Sequence, residues 1–226
     1  MSFSVIIPSR TAGNLVPCVE AVRKHEPTAE IVLVDDGLNW SEVDAGFLCC
    51  GIDRDFNFTI IDGLKPFIFS RNCNLGIQAC GDDVILLNDD ALLETPLGFS
   101  EMEQASIARP EMGLISAVTN LAGNPAQRPQ DVGLRKEPRT VAFVCVYIPR
   151  RTLDRLGLLD ERFTAYGWED NDYCRRTREA GLEIGIFDDC FVDHASLHPT
   201  FRASPRISGE LRAGREIYCA KWGDAN

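Results

Sequence analysis

The chain has no glycine-rich phosphate loop: neither G-x-G-x-x-G nor G-x-x-x-x-G-K-[ST] follows its first apolar run, where Pro8-Ser9-Arg10 stands instead. That argues against a dinucleotide-dependent enzyme or a nucleotidyltransferase built on such a loop. No C-x-x-C pair occurs among the nine cysteines, an odd count. A reduced cytoplasmic protein with small buried thiols explains this better than a zinc site or a disulfide framework. No apolar run approaches the thickness of a bilayer, and the start, Met1 to Pro8, lacks the basic n-region of a secretory signal. Positive charge is scarce, with 23 Lys and Arg against 34 Asp and Glu for a net charge of -11. Generic binding to nucleic acid or to anionic lipid is therefore disfavoured, although a local basic groove is still possible.

What is present is a core. At 226 residues and 45% hydrophobic content the chain fits one large domain better than two small ones. Short apolar runs alternate with helical patterns through the first half, the signature of a mainly parallel sheet flanked by helices. Strands are predicted at Phe3 to Ile7, Ile31 to Val34, Phe58 to Ile61, Val84 to Leu87 and Gly113 to Val118. A short helix is predicted from a capping Ser70 to Gly81. Residues 119–139, rich in Gly, Pro and Asn, read as a long exposed loop that could act as a lid or binding segment. Beyond it, a helix is expected from Trp168 to Gly181, two strands at Glu183 to Phe187 and Phe191 to His194, and a last helix from Ser208 to Ala220.

Two acidic clusters stand out. Asn88-Asp89-Asp90 ends the run Val84-Ile85-Leu86-Leu87, at the carboxyl end of a buried strand where ligands collect in open parallel sheets. Hard oxygen ligands there suit magnesium or manganese, although two acids after a strand also serve as ordinary turn caps. Tyr166-Gly167-Trp168-Glu169-Asp170-Asn171-Asp172 crowds acids and aromatics onto the expected first turn of a helix. Acids stabilise such a turn through the helix dipole, and Asp172 is given only that role. Trp168 beside the carboxylates offers a platform for the apolar face of a sugar, a position that a core tryptophan would share in sequence.

These motifs occur together and in order. Ser4 to Arg10, Ile31 to Gly37, Ser70-Arg71-Asn72 through Gly76, and Leu86 to Asp90 resemble the nucleotide-binding half of family 2 glycosyltransferases with the GT-A fold. Gly157 to Phe163, the Gly167 to Asp172 block and His194 continue the resemblance to about His198. The resemblance implies a single α/β GT-A domain. Residues 1–118 would form its nucleotide-sugar half, and residues 119–226 its acceptor half, with a mobile loop at 119–139 and a C-terminal helix.

It further implies that Pro8, Ser9 and Arg10 border the nucleotide and that Asp36 accepts a hydrogen bond from the base, with Asp35 beside it. A carboxylate accepting an imide N–H favours a UDP- or dTDP-sugar. Arg71 would lie near the donor diphosphate or sugar, and Asp89 would face the ribose or sugar. Asp90 would bind a divalent Mn2+ or Mg2+, with His194, or in competition His198, completing the shell. Asn88 stands where the family's first aspartate would be. Asp170 would be the base and Glu169 would bind or orient the acceptor.

The expected activity is metal-dependent transfer of a hexose or pentose to an acceptor hydroxyl, with inversion. The alternative is a nucleotide-sugar-binding module with little turnover. The acceptor is open: saccharide, lipid-linked glycan, protein, small metabolite or modified nucleic-acid base.

Overall fold

The computed structural model describes residues 3–199 and 204–223. The first part of the chain runs β1 (Phe3–Ser9), α1 (Ala12–His25), β2 (Glu30–Asp35), α2 (Trp40–Cys50), β3 (Phe58–Asp62), α3 (Phe69–Ala79) and β4 (Asp83–Leu87). Next come β5 (Leu92–Leu93), α4 (Gly98–Ala108), β6 (Met112–Thr119), β7 (Leu134–Lys136), β8 (Cys145–Ile148), α5 (Arg150–Leu156), α6 (Glu169–Glu179), β9 (Glu183–Asp193) and α7 (Ile207–Trp222). One nine-stranded sheet carries the order β3-β2-β1-β4-β8-β6-β9-β5, with β7 paired to β9.

Strands β3, β2, β1 and β4 are parallel, whereas β8 enters antiparallel between β4 and β6. Successive side chains of a strand face opposite ways, so Val5 and Ile7 of β1 join one core layer and Ile6 the other. Helix residues such as Leu15 and Val22 of α1 close the first layer, and Cys73 and Ile77 of α3 with Tyr173 of α6 close the second. Burial on both faces explains why Val84 to Leu87 is an unbroken apolar run.

Two boundaries differ from the sequence expectation. Ser70 lies inside α3 and does not cap it; the N-cap is Ile68, and the Ser70 hydroxyl is buried. Glu183 to Asp193 is one strand, not two: its pairing to β6 slips between Ala117 and Val118, so that Phe187 and Phe191 face consecutive β6 residues. The extra residues form a bulge whose acids are used locally. Asp188 accepts from the Gln130 N–H at 2.8 Å and pairs with Arg135 at 2.5 Å, and Asp189 accepts from the Gly133 N–H at 2.9 Å.

Those bonds fasten residues 119–139, the stretch expected as a mobile loop. A 3₁₀ turn at Pro125–Gln127 buries Gln127, whose amide donates to Ser116 Oγ at 2.7 Å and to the Ala142 carbonyl at 2.9 Å. All nine cysteines are free thiols, and six of them are buried (Cys18, Cys73, Cys80, Cys145, Cys174 and Cys190). No described helix is long and apolar enough to cross a membrane.

Candidate functional site

At the carboxyl ends of β1 and β4 lies a cavity of about 590 Å³, and both acidic clusters line it. Pro8, Asp89 and Asp90 form the strand side. Trp168, Glu169 and Asp170 line it from the start of α6, and His194, just past the end of β9, is a third contributor. Sequence separations of about 80 and 100 residues are thus closed by the sheet topology.

On the strand side, Ser9 Oγ donates to Asp89 Oδ2 at 2.7 Å. Burial pushes Asp89 up to about 6, an effect that the Ser9 bond reduces and the neighbouring Asp90 charge reinforces. Asp90 Oδ1 lies 3.0 Å from His194 Nε2, and both residues are buried. The other ring nitrogen, Nδ1, is 2.6 Å from the Leu121 carbonyl. A carbonyl can only accept, so Nδ1 carries a hydrogen, and Nε2 is the ring nitrogen that faces the Asp90 carboxylate. The 3.0 Å contact is an ion pair when Nε2 carries a hydrogen, and the same nitrogen and oxygen are a donor pair that a divalent cation can take when it does not. Among the described residues no group of three or more His, Cys, Asp or Glu is placed to share a metal ion. A cation held by Asp90 and His194 would therefore complete its shell from water and ligand, as magnesium-like ions commonly do.

At the start of α6 the backbone itself is unusual. Gly167 and Trp168 both adopt left-handed conformations, with φ of 99° and 76°, and Trp168 is the N-cap of α6. For a non-glycine residue that costs about 1 to 3 kcal/mol and persists only where surrounding packing enforces it. Here α7 supplies the packing. The Trp168 ring lies 5.3 Å from Tyr218, and a Cβ on Gly214 would come within 3.0 Å of the Trp168 ring. The left-handed turn starts α6 at the cavity, so Glu169 and Asp170 fall in its first turn.

Glu169 is buried, and its Oε2 has no hydrogen-bond partner among the described residues. Burial pushes its carboxyl up, and the adjacent Asp170 charge adds to this. Asp170 is also raised by burial, against donation from the Asn171 N–H at 2.7 Å and the Asn171 amide at 3.0 Å.

The remaining expected donor residues lie outside this cavity. Asp36 is buried beside Ser9, whose carbonyl accepts from the Asp36 N–H at 2.7 Å. Its Oδ1 pairs with Lys65 at 2.8 Å, and its Oδ2 is buried with no partner among the described residues. Asp35 works within its own turn: it accepts from the Gly37 and Leu38 N–H groups and from the Trp40 indole, each at 2.7 Å. Arg71 donates to the carbonyls of Leu64 and Pro66, bracing the connection between β3 and α3. Arg10 lines a second, open hollow with Asn14 and His198, so His194 and not His198 is the histidine of the main cavity.

Sequence reasoning missed two features. Asp172, given only a dipole role, is fully buried and receives Arg176 Nε at 3.0 Å, Trp222 Nε1 at 2.8 Å and Lys221 Nζ at 2.7 Å. It is the anchor that holds α7 on α6. Arg212 and Arg215 of α7 line the cavity. Their i, i+3 spacing was legible, but their neighbourhood was not.

Comparison with known proteins supports the fold. No protein-family model matches the chain. The uncharacterized protein y4gI of Sinorhizobium fredii (strain NBRC 101917 / NGR234) is 27% identical over 217 residues, covering 79% of this chain and 23% of that protein. The chain thus spans under a quarter of that relative. The mannosyltransferase PcManGT from Pyrobaculum calidifontis, solved with GDP-Man and Mn2+, matches with a TM-score of 0.71 at 16% identity, over 100% of this chain and 65% of that one. GalNAc-T7, solved with UDP, GalNAc and Mn2+, matches with a TM-score of 0.70 at 15% identity, over 86% of this chain and 44% of that one. TarS from S. aureus, solved with UDP-GlcNAc, matches with a TM-score of 0.64 at 14% identity, over 97% of this chain and 67% of that one. At these identities the likeness speaks for architecture: the chain has the α/β fold shared by GT-A glycosyltransferases.

Proposed function

We propose that the protein is a metal-assisted glycosyltransferase that moves a hexosyl or pentosyl group from a nucleotide-diphosphate donor to an acceptor hydroxyl, with inversion. The observation that carries this is one cavity lined by both Asp89, Asp90 and His194 and Glu169 and Asp170. The solved proteins of the same fold that bind UDP or GDP-Man with Mn2+ support it.

In this reading residues 1–118 hold the donor and 119–226 the acceptor. Asp90 and His194 hold the cation, which would offset charge on the leaving diphosphate. Asp89, steadied by Ser9, faces the ribose or sugar, and Pro8 lines the floor. The unpartnered Asp36 Oδ2 is an acceptor suited to the imide N–H of uracil or thymine, favouring UDP- or dTDP-sugars. Asp170, which lines the cavity from the first turn of α6, takes the proton of the attacking hydroxyl. Glu169 orients the same hydroxyl. The free thiols suit a reducing compartment such as the cytoplasm.

UDP-, dTDP- and GDP-sugars are screened for thermal stabilisation with and without manganese. A UDP- or dTDP-sugar should raise Tm in a manganese-dependent way in the wild type, and Asp90→Ala should lose that dependence. Absence of stabilisation by every donor would reject the proposal. A second reading, a binding module with little turnover, is favoured by Asn88 in place of an aspartate and by the two-ligand protein shell. Donor hydrolysis by wild type but not by Asp170→Asn excludes it, and NMR of the product anomer tests inversion.

A further inference from the structure

Arg212 and Arg215 stand apart from the other cations of this acidic chain. Most described basic side chains are tied to carboxylates or carbonyls: Arg54 to Asp44, Arg135 to Asp188, Arg176 and Lys221 to Asp172, Arg71 to loop carbonyls. Arg212 and Arg215 are exposed, line the main cavity and have no hydrogen bond or ion pair among the described residues.

Their placement is built in. Leu211, Gly214 and Tyr218 form the stripe of α7 that packs on Gly167 and Trp168. Trp222 and Lys221 continue it to the buried Asp172. Arg212 and Arg215 flank this stripe, so docking of α7 turns them to the cavity. Of the acids on the helix, Glu210 is engaged by the Ala165 N–H at 3.3 Å, and Glu216, next to Arg215 and four positions after Arg212, forms no ion pair with either arginine. The two arginines therefore line the cavity from the helix that packs on Gly167 and Trp168, the residues just before Glu169 and Asp170. Two guanidinium groups that line one cavity and have no ion pair among the described residues suit a bound carboxylate or phosphate.

We infer that Arg212 and Arg215 form an anion subsite for the acceptor, which carries a carboxylate or phosphate group near its reacting hydroxyl. This rests on the proposed transferase function and names the chemical class of its acceptor.

The test uses the full chain, with and without UDP and Mn2+, titrated with glucose, glucuronate and glucose 6-phosphate while the arginine side-chain N–H resonances are followed by NMR. The anionic sugars should bind at least about tenfold more tightly than glucose, from charge-assisted hydrogen bonds, and should shift both arginine resonances. Preference for glucose 6-phosphate over glucuronate identifies phosphate as the anion; the reverse identifies carboxylate. Arg212→Gln/Arg215→Gln should abolish the preference and keep UDP affinity within about twofold.

Equal binding of the three sugars overturns the subsite. So does a double variant that loses about tenfold in UDP affinity, since the arginines would then serve the diphosphate. Wild-type protein that binds the anionic sugars but no nucleotide would sink the transferase function and leave the anion subsite standing. Protein that binds UDP but neither anionic sugar removes the subsite alone.

Discussion

His194 Nε2 lies 3.0 Å from Asp90 Oδ1 although 104 positions separate the two residues, and the Leu121 carbonyl on the far side of the ring decides which nitrogen faces the carboxylate. The ring position is set a second time through the backbone: Asn120 Oδ1 accepts from the His194 N–H at 2.9 Å, while the Asn120 amide donates to Asp193 at 2.8 Å. If Asp90 and His194 hold a cation as proposed, these outer contacts would fix the geometry of the two ligands.

Asn120→Ala should therefore lower manganese affinity, by about 10- to 100-fold, without touching either proposed ligand. Nitrogen NMR of His194 gives a readout free of any turnover: the wild type should show the Nδ1–H tautomer, and the variant a mixture. An unchanged tautomer and unchanged manganese affinity would show that Asn120 does nothing for the ring.

Asp170→Asn should retain donor binding and lose transfer by about 10² to 10⁴-fold, the usual range for a lost general base. Because burial raises Asp170, the acid limb of the wild-type pH–rate profile should lie above the ordinary aspartate value of 3.8. An acid limb at or below that value moves the base elsewhere.

Glu169 gives a stability signature of definite sign. Its proton is held more firmly in the folded protein than in the unfolded chain, because the carboxyl is buried beside Asp170. That preference favours the fold fully below the ordinary glutamate value of 4.5 and is lost as pH rises through the elevated folded value. Wild-type Tm should fall across this upward window, and Glu169→Gln should flatten the fall. A steeper decline in the variant would contradict the assignment.

Asp172→Ala removes the carboxylate shared by Arg176, Lys221 and Trp222. Stripping one partner from a buried charge cluster costs about 3 to 5 kcal/mol, and for a chain of this size each kcal/mol lowers Tm by about 2 to 4 °C. Hydrogen exchange should locate the damage in α7, and acceptor binding should fall more than donor binding. Uniform exchange over the whole sheet would mean that Asp172 supports the core and not the helix.

Much of the site was legible because its residues stand at punctuation points. Asp89 and Asp90 end a fully apolar run, and Glu169 and Asp170 open a helix. Strand ends and helix starts can be read from local periodicity, so the candidate acids could be named without coordinates. The split of β9 into two expected strands failed because a bulge interrupts alternation while leaving the hydrogen-bonded ladder continuous. Arg71 and Arg212 illustrate the limit at the site. Both are arginines near a helix start, but one is spent on the carbonyls of Leu64 and Pro66 and the other lines the cavity.

By itself the sequence determined the alternating α/β architecture, the ends of its strands and the identities of the candidate acids there, since all of these follow from local chain properties. Tertiary structure alone decided that Asp90 meets His194, that Asp172 is a buried anchor for α7, and that Arg212 and Arg215 look into the cavity. Those outcomes depend on which distant segments pack together, and packing is set by the closure of the whole sheet, not by any window of neighbouring residues.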